Sequence, residues 1–164
     1  MTRSLDLGCG PHPKNPFQAD ELFGVDVMPH ASPNIRTADL AVEAIPFDSD
    51  SFDYVTAFDV IEHIPRVVYL PARRNSFIVL MDEIHRVLKL GGLFFSHTPA
   101  YPHAEAFQDP THVNIITEST FPLYFDDRYR WASPYGFRGA FTVLSQEWRG
   151  CHLLTTLRKV PAPA

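Results

Sequence analysis

The sequence predicts an α/β fold with a mostly parallel sheet, and three observations carry that reading. Short apolar runs alternate with polar connectors through the first half of the chain. The first run, Ser4-Leu5-Asp6-Leu7, enters a turn made of Gly8-Cys9-Gly10. A second run, Gly24-Val25-Asp26-Val27, ends on a carboxylate twenty residues after Asp6.

The elements follow in order. Strands are expected at residues 4–7, 23–27, 35–37, 52–58 and 92–98. Between the last two, Phe77, Leu80, Met81, Ile84, Val87 and Leu88 fall at helical spacing. A helix is therefore expected from about Ala72 to Lys89, with Pro71 at its start and Gly91-Gly92 at its end. A shorter helix fits near Glu118 to Tyr124. Residues 141–148 and 153–160, separated by Arg149-Gly150-Cys151-His152, read as a hairpin. Pro11, Pro13 and Pro16 leave room for a short helix at most after the glycine turn.

Composition fits one compact domain over residues 1–164, with 45% hydrophobic and 20% charged residues. The formal net charge of -5 argues against nucleic acid, because phosphate binding wants a clustered positive surface. Arg73-Arg74, Arg128, Arg130 and Arg138 are too scattered to make one. No apolar run is long enough to span a membrane and the start lacks a secretory pattern, so the expected location is cytoplasmic. With only Cys9 and Cys151 present, no structural disulfide is expected.

The glycine turn and the carboxylate after the second strand are the parts of a nucleotide site. Gly8 and Gly10 let the backbone approach a ligand, Asp6 orders the turn by hydrogen bonding, and Asp26 accepts from both ribose hydroxyls. A dinucleotide site would need a third glycine where Pro13 stands, so a pyrophosphate cradle is not expected.

Six ordered segments decide among the remaining cofactors. Leu5 to Gly10, Gly24-Val25-Asp26, Ala38-Asp39-Leu40, Ile45 to Val55, Phe58 to Ile64 and Leu88 to Phe94 together resemble the successive motifs of class I S-adenosylmethionine-dependent methyltransferases. The resemblance covers roughly residues 4 to 98. It implies a three-layer, Rossmann-like sheet of seven strands, mostly parallel and closed by the antiparallel C-terminal hairpin. It also implies S-adenosylmethionine as cofactor, held by Asp6, Gly8, Cys9, Gly10, Asp26, Val27, Asp39, Leu40, Asp59 and Val60. The competing reading of Asp39 is a cap for the turn that follows it. His12 or Lys14 is expected to help loop amides hold the cofactor's carboxylate.

The implied reaction moves a methyl group to a small-molecule acceptor. A hydroxyl of a saccharide or secondary metabolite is favoured, since residues 99–137 carry nine aromatic side chains that could wall a sugar or planar ring. Only three residues precede the first strand, so this segment or a second copy of the chain in a homodimer is expected to close the site. His63, Tyr101, His103 and Phe107 are candidate acceptor contacts. His112 is the candidate base with Asp109 to orient it; the competing readings are a turn at Asp109-Pro110-Thr111 and a metal site at His103, Asp109 and His112. A cofactor-binding module without catalysis and a nicotinamide-dependent oxidoreductase remain as alternative functions.

Overall fold

The computed structural model describes residues 1–69 and 71–163. Seven strands form one sheet in the order β3-β2-β1-β4-β5-β7-β6. They are β1 (Arg3–Leu7), β2 (Glu21–Asp26), β3 (Ile35–Thr37), β4 (Phe52–Phe58), β5 (Leu88–Pro99), β6 (Phe141–Arg149) and β7 (His152–Lys159). β1, β2, β3, β4 and β5 pair in parallel, and β7 joins β5 and β6 antiparallel. This is the Rossmann-like arrangement with an antiparallel closing pair that the sequence predicted. Because β2 and β4 lie on opposite sides of β1, the direction of winding reverses there, and ligands bind beyond strand ends at such a point.

Helices are few. α1 (Ser76–Val87) is the long one, and α2 (Glu105–Gln108) and α3 (Thr120–Tyr124) are short. α1 buries Phe77, Leu80, Met81, Ile84 and Val87, which is the face that helical spacing marked out. It starts later than expected from Pro71. Val68 and Arg74 exchange both backbone hydrogen bonds, at 2.9 Å each, and this extended pairing holds the approach out of the helix until Ser76. It also ends earlier than Gly91-Gly92. Leu88 already pairs with Phe52, while the amides of Asp50 and Ser51 take the carbonyls of Arg86 and Val87. The register shift between Phe52 and Tyr54 absorbs the glycine pair, with Gly91 at φ +80°.

One end of the core is an aromatic box. Phe47 and Phe52 meet edge to face at 5.0 Å and both touch Phe23, while the Arg3 guanidinium lies 4.6 Å from the Phe23 ring centre. Such aromatic pairs contribute about 0.5–1.5 kcal/mol each beyond their buried area. At the other end Phe121, Phe125 and Phe137 are buried, Phe125 meeting Phe77 of α1 at 5.4 Å and Phe121 meeting Phe94 of β5 at 6.4 Å. The remaining aromatics of residues 99–137, among them Tyr101, Phe107, Tyr129 and Trp131, are exposed. No helix among the described residues is long and apolar enough to cross a membrane.

Candidate functional site

The glycine turn after β1 is held from below and from the side. Asp6, buried under it, accepts from the Lys14 amide at 2.8 Å and from the Thr56 hydroxyl at 2.7 Å. Burial pushes its carboxyl above the usual range in spite of those donors. Gly8 and Gly10 both take positive φ, +61° and +56°. A Cβ on Gly8 would meet Val60 Cγ2 at 2.3 Å, whereas one on Gly10 would project into open space, where a ligand can approach.

Asp26, at the end of β2, accepts from the Gly10 amide at 2.8 Å and the Met28 amide at 2.9 Å, and His30 lies 3.4 Å away. Burial alone would raise its carboxyl, but the two amides and His30 outweigh it and hold the group below its usual value. The carboxylate therefore ties the two loops together while facing the cavity.

That cavity, of about 290 Å³, opens beyond the ends of β1, β2 and β4. Gly8, Asp26, Val27, Asp39, Leu40, Asp59 and Val60 line it, as do Ala38, Ala41 and Ile64, which sequence reasoning did not single out. Asp39 caps its own turn, accepting from the Ala41 amide at 2.9 Å, while it stands on the cavity wall.

Other predicted cofactor contacts lie off the wall. Asp6 and Gly10 shape the turn rather than line the cavity. Cys9 points away, its sulfur 2.4 Å from where a Cβ on Gly24 would be, and burial with the nearby Asp6 and Asp26 pushes its thiol up to about 11. No helix follows the turn, and the Lys14 amine sits 4.3 Å over the Phe58 ring instead of at the cavity.

The chain after β4 builds the other edge. Asp59, at φ +55°, leads into a single 3₁₀ turn, Ile61–His63, that buries Glu62 and leaves His63 on the cavity wall. The Glu62 carbonyl takes the amides of Val113 at 2.9 Å and Asn114 at 3.0 Å, clamping the distant segment to this turn. As a result the His63 and His112 rings meet edge to face at 4.8 Å. Thr111 Oγ1 lies 3.0 Å from His63 Nδ1. A second group forms at Asp59, whose Oδ1 lies 3.3 Å from His97 Nδ1 and 3.1 Å from His152 Nε2. Sequence reasoning missed His97, His152 and Glu62, because only strand register and the clamp bring them to the site.

Three expectations for the acceptor side are corrected. Asp109 does not hydrogen-bond His112, which lies 3.9 Å away; its Oδ1 takes the amide and hydroxyl of Thr111 at 2.8 and 2.7 Å. His103 packs at a tilt against Trp148 at 5.0 Å, so the set His103, Asp109 and His112 does not form; Glu62 and His63 bring ligating atoms to His112 instead. Tyr101 and Phe107 pack on each other at 6.4 Å, and no residue of 99–137 lines the cavity. Burial of Phe121, Phe125 and Phe137 in the core draws the later part of that segment away, so only residues near 109–114 reach the His63 edge.

The residues present fit an adenosine-bearing cofactor. Three carboxylates, Asp26, Asp39 and Asp59, stand with His63 on a wall whose remaining side chains, among them Ala38, Leu40, Val60 and Ile64, are apolar. Comparison with known proteins agrees. The profile of the methyltransferase-domain family matches residues 2–140. No curated protein matches the chain. Among solved structures, a chain of the complex between the Haloferax volcanii Trm112 methyltransferase activator and a methyltransferase superposes with a TM-score of 0.65 at 16% identity, over 98% of this chain and 83% of that one. YcgJ from Bacillus subtilis gives 0.64 at 15% identity, over 98% and 93%. An S-adenosylmethionine-dependent methyltransferase from Mesorhizobium loti gives 0.61 at 16% identity, over 96% and 90%. The nicotinamide-dependent and purely cofactor-binding alternatives are left without support. A cavity that suits adenosine, on a fold shared with these enzymes and within the matched residues, makes the chain a member of the methyltransferase-domain family and an S-adenosylmethionine-dependent methyltransferase.

Proposed function

We propose that the enzyme methylates a hydroxyl group of a small molecule, a saccharide or a secondary metabolite, at the His63 edge of the cofactor cavity. The observation that carries the reading is the edge-to-face contact of His63 with His112 at 4.8 Å, which puts a second imidazole beside the cavity wall. A hydroxyl is a poor nucleophile until its proton is removed, and imidazole suits that task near neutral pH. Bound in the cavity, S-adenosylmethionine supplies an electrophilic methyl carbon on a positively charged sulfur.

The chain's own residues do the rest. Asp26 and Asp39 hold the nucleoside, with Val27, Leu40 and Val60 packed around it and Asp59 beside its amino-acid end. His112 handles the hydroxyl proton. Asp109 is a positioning residue that acts through Thr111, since Thr111 bonds both Asp109 and His63. Residues 109–114, clamped to the 3₁₀ turn, border the acceptor side, and a second copy of the chain completes its closure. Two free cysteines suit a cytoplasmic setting.

The test is transfer of a labelled methyl group to a panel of hydroxylated sugars and phenols, followed by release of S-adenosylhomocysteine. Turnover is expected with a free hydroxyl and absent with its O-methyl ether. Turnover on amines alone refutes the proposal.

A further inference from the structure

Two buried polar atoms beside the acceptor edge have no partner. Glu62 is 1% exposed, and while its Oε2 accepts from the Thr98 hydroxyl at 2.8 Å, its Oε1 is buried without a hydrogen bond. His112 Nδ1 is likewise buried and unpaired. Buried carboxylate and imidazole atoms are ordinarily satisfied, so a pair of orphans in one place points to a ligand that completes both. Glu62, His63 and His112 each offer one ligating atom, and the three atoms lie within 4.8 Å of one another.

We propose that Glu62, His63 and His112 form a binding site for a divalent transition-metal cation. One carboxylate with two imidazoles is the donor set of zinc, manganese, iron and nickel, whereas magnesium and calcium prefer oxygen alone. Outer partners are already in place. Thr98 holds the far oxygen of Glu62, and Thr111 lies against Nδ1 of His63, leaving Nε2 for a cation. The amides of Val113 and Asn114 on the Glu62 carbonyl fix His112 against the 3₁₀ turn. The rival group of Asp59, His97 and His152 lacks this character, because both imidazoles already face Asp59 Oδ1 at 3.3 and 3.1 Å.

Three protein ligands leave coordination positions open, and His63 stands on the cofactor cavity wall, so an open position can take the acceptor oxygen. The catalytic use of the cation rests on the hydroxyl reading above. A hydroxyl bound to a divalent cation gives up its proton to water at a lower pH than a free one. The oxygen then forms its bond to the methyl carbon as the carbon–sulfur bond breaks, and that electron pair stays on sulfur. In this arrangement His112 promotes proton loss as a ligand.

The experiment is titration of chelator-stripped protein with Mn²⁺ followed by electron paramagnetic resonance, and with Zn²⁺ by calorimetry, both without cofactor. Wild type is expected to bind one equivalent of each. Glu62→Gln and His112→Ala should each weaken binding at least tenfold, and His152→Ala should leave it unchanged. Because Glu62 is buried, His63→Ala at the exposed ligand gives the same reading should Glu62→Gln fail to fold. No saturable binding by wild type overturns the site, as does binding lost in His152→Ala but kept in His63→Ala. Full methyl transfer by stripped protein that His112→Ala abolishes also overturns it and leaves His112 as a free base. Binding that follows the expected pattern in a protein that never methylates hydroxyls supports the site and refutes the hydroxyl acceptor.

Discussion

Replacing Asp26 tests the cofactor site most directly, because one carboxylate both faces the cavity and ties its loops. In the folded protein its two oxygens accept from Gly10 and Met28 at 2.8 and 2.9 Å. Those amides are partly or fully open to solvent and can rehydrate, so Asp26→Ala should lower stability by only about 1 kcal/mol. Ligand binding should suffer more. Hydrogen bonds to a charged group contribute about 1.5–3 kcal/mol, so the affinity for S-adenosylhomocysteine should fall roughly 10- to 150-fold. Asp26→Asn keeps an acceptor for the loop amides and should recover the stability, but only part of the affinity. Calorimetric titration with S-adenosylhomocysteine, beside urea unfolding of the same samples, separates the two effects. An affinity within twofold of wild type in a folded Asp26→Ala protein would refute the assignment of this carboxylate to the nucleoside.

Three further substitutions probe the turn, the acceptor side and the core. Gly8→Ala should cost at least 1–3 kcal/mol of stability and cofactor affinity together, because the residue sits at φ +61° and its Cβ meets Val60 at 2.3 Å; a variant with wild-type unfolding midpoint would contradict this. His112→Ala should lower kcat by about 10²- to 10⁴-fold with little change in cofactor affinity, measured by steady-state kinetics beside calorimetry. Parallel loss of both would return His112 to a purely structural role. His85 gives the pH dependence. Burial, helped by Lys159, holds its imidazole below the usual value although it bonds the Val160 carbonyl at 3.1 Å. The unfolded chain therefore takes up the proton first, and the contribution of His85 to stability is complete above about pH 6.5 and shrinks as the pH falls below it. Urea midpoints at pH 7.5 and 5.5 should differ less for His85→Gln than for wild type.

Local signals carried the parallel half of the sheet. Alternating apolar runs placed β1 to β4, and the heptad-like spacing of Phe77 to Val87 placed the buried face of α1, since both periods follow from backbone geometry alone. Ends were harder. Pro71 and Gly91 are good punctuation for a helix, but a backbone bridge at Val68 and Arg74 and the pairing of Leu88 with Phe52 set the limits, and neither contact has a local sequence signature.

The same division explains the site. Residues on the cavity wall come from the ends of strands and the turns after them, so chain order and residue type were enough to place Asp26, Asp39 and Asp59 at one cavity. The acceptor side is assembled at long range. The amides of Val113 and Asn114 reach back to the Glu62 carbonyl, which sends His112 to His63 and away from His103, only nine residues before it in the chain. Spacing within 103–112 therefore suggested the wrong partners. Glu62 shows why most clearly: a charged residue beside a histidine reads as surface in the sequence, yet the 3₁₀ turn buries it, and only burial makes its unpaired oxygen informative.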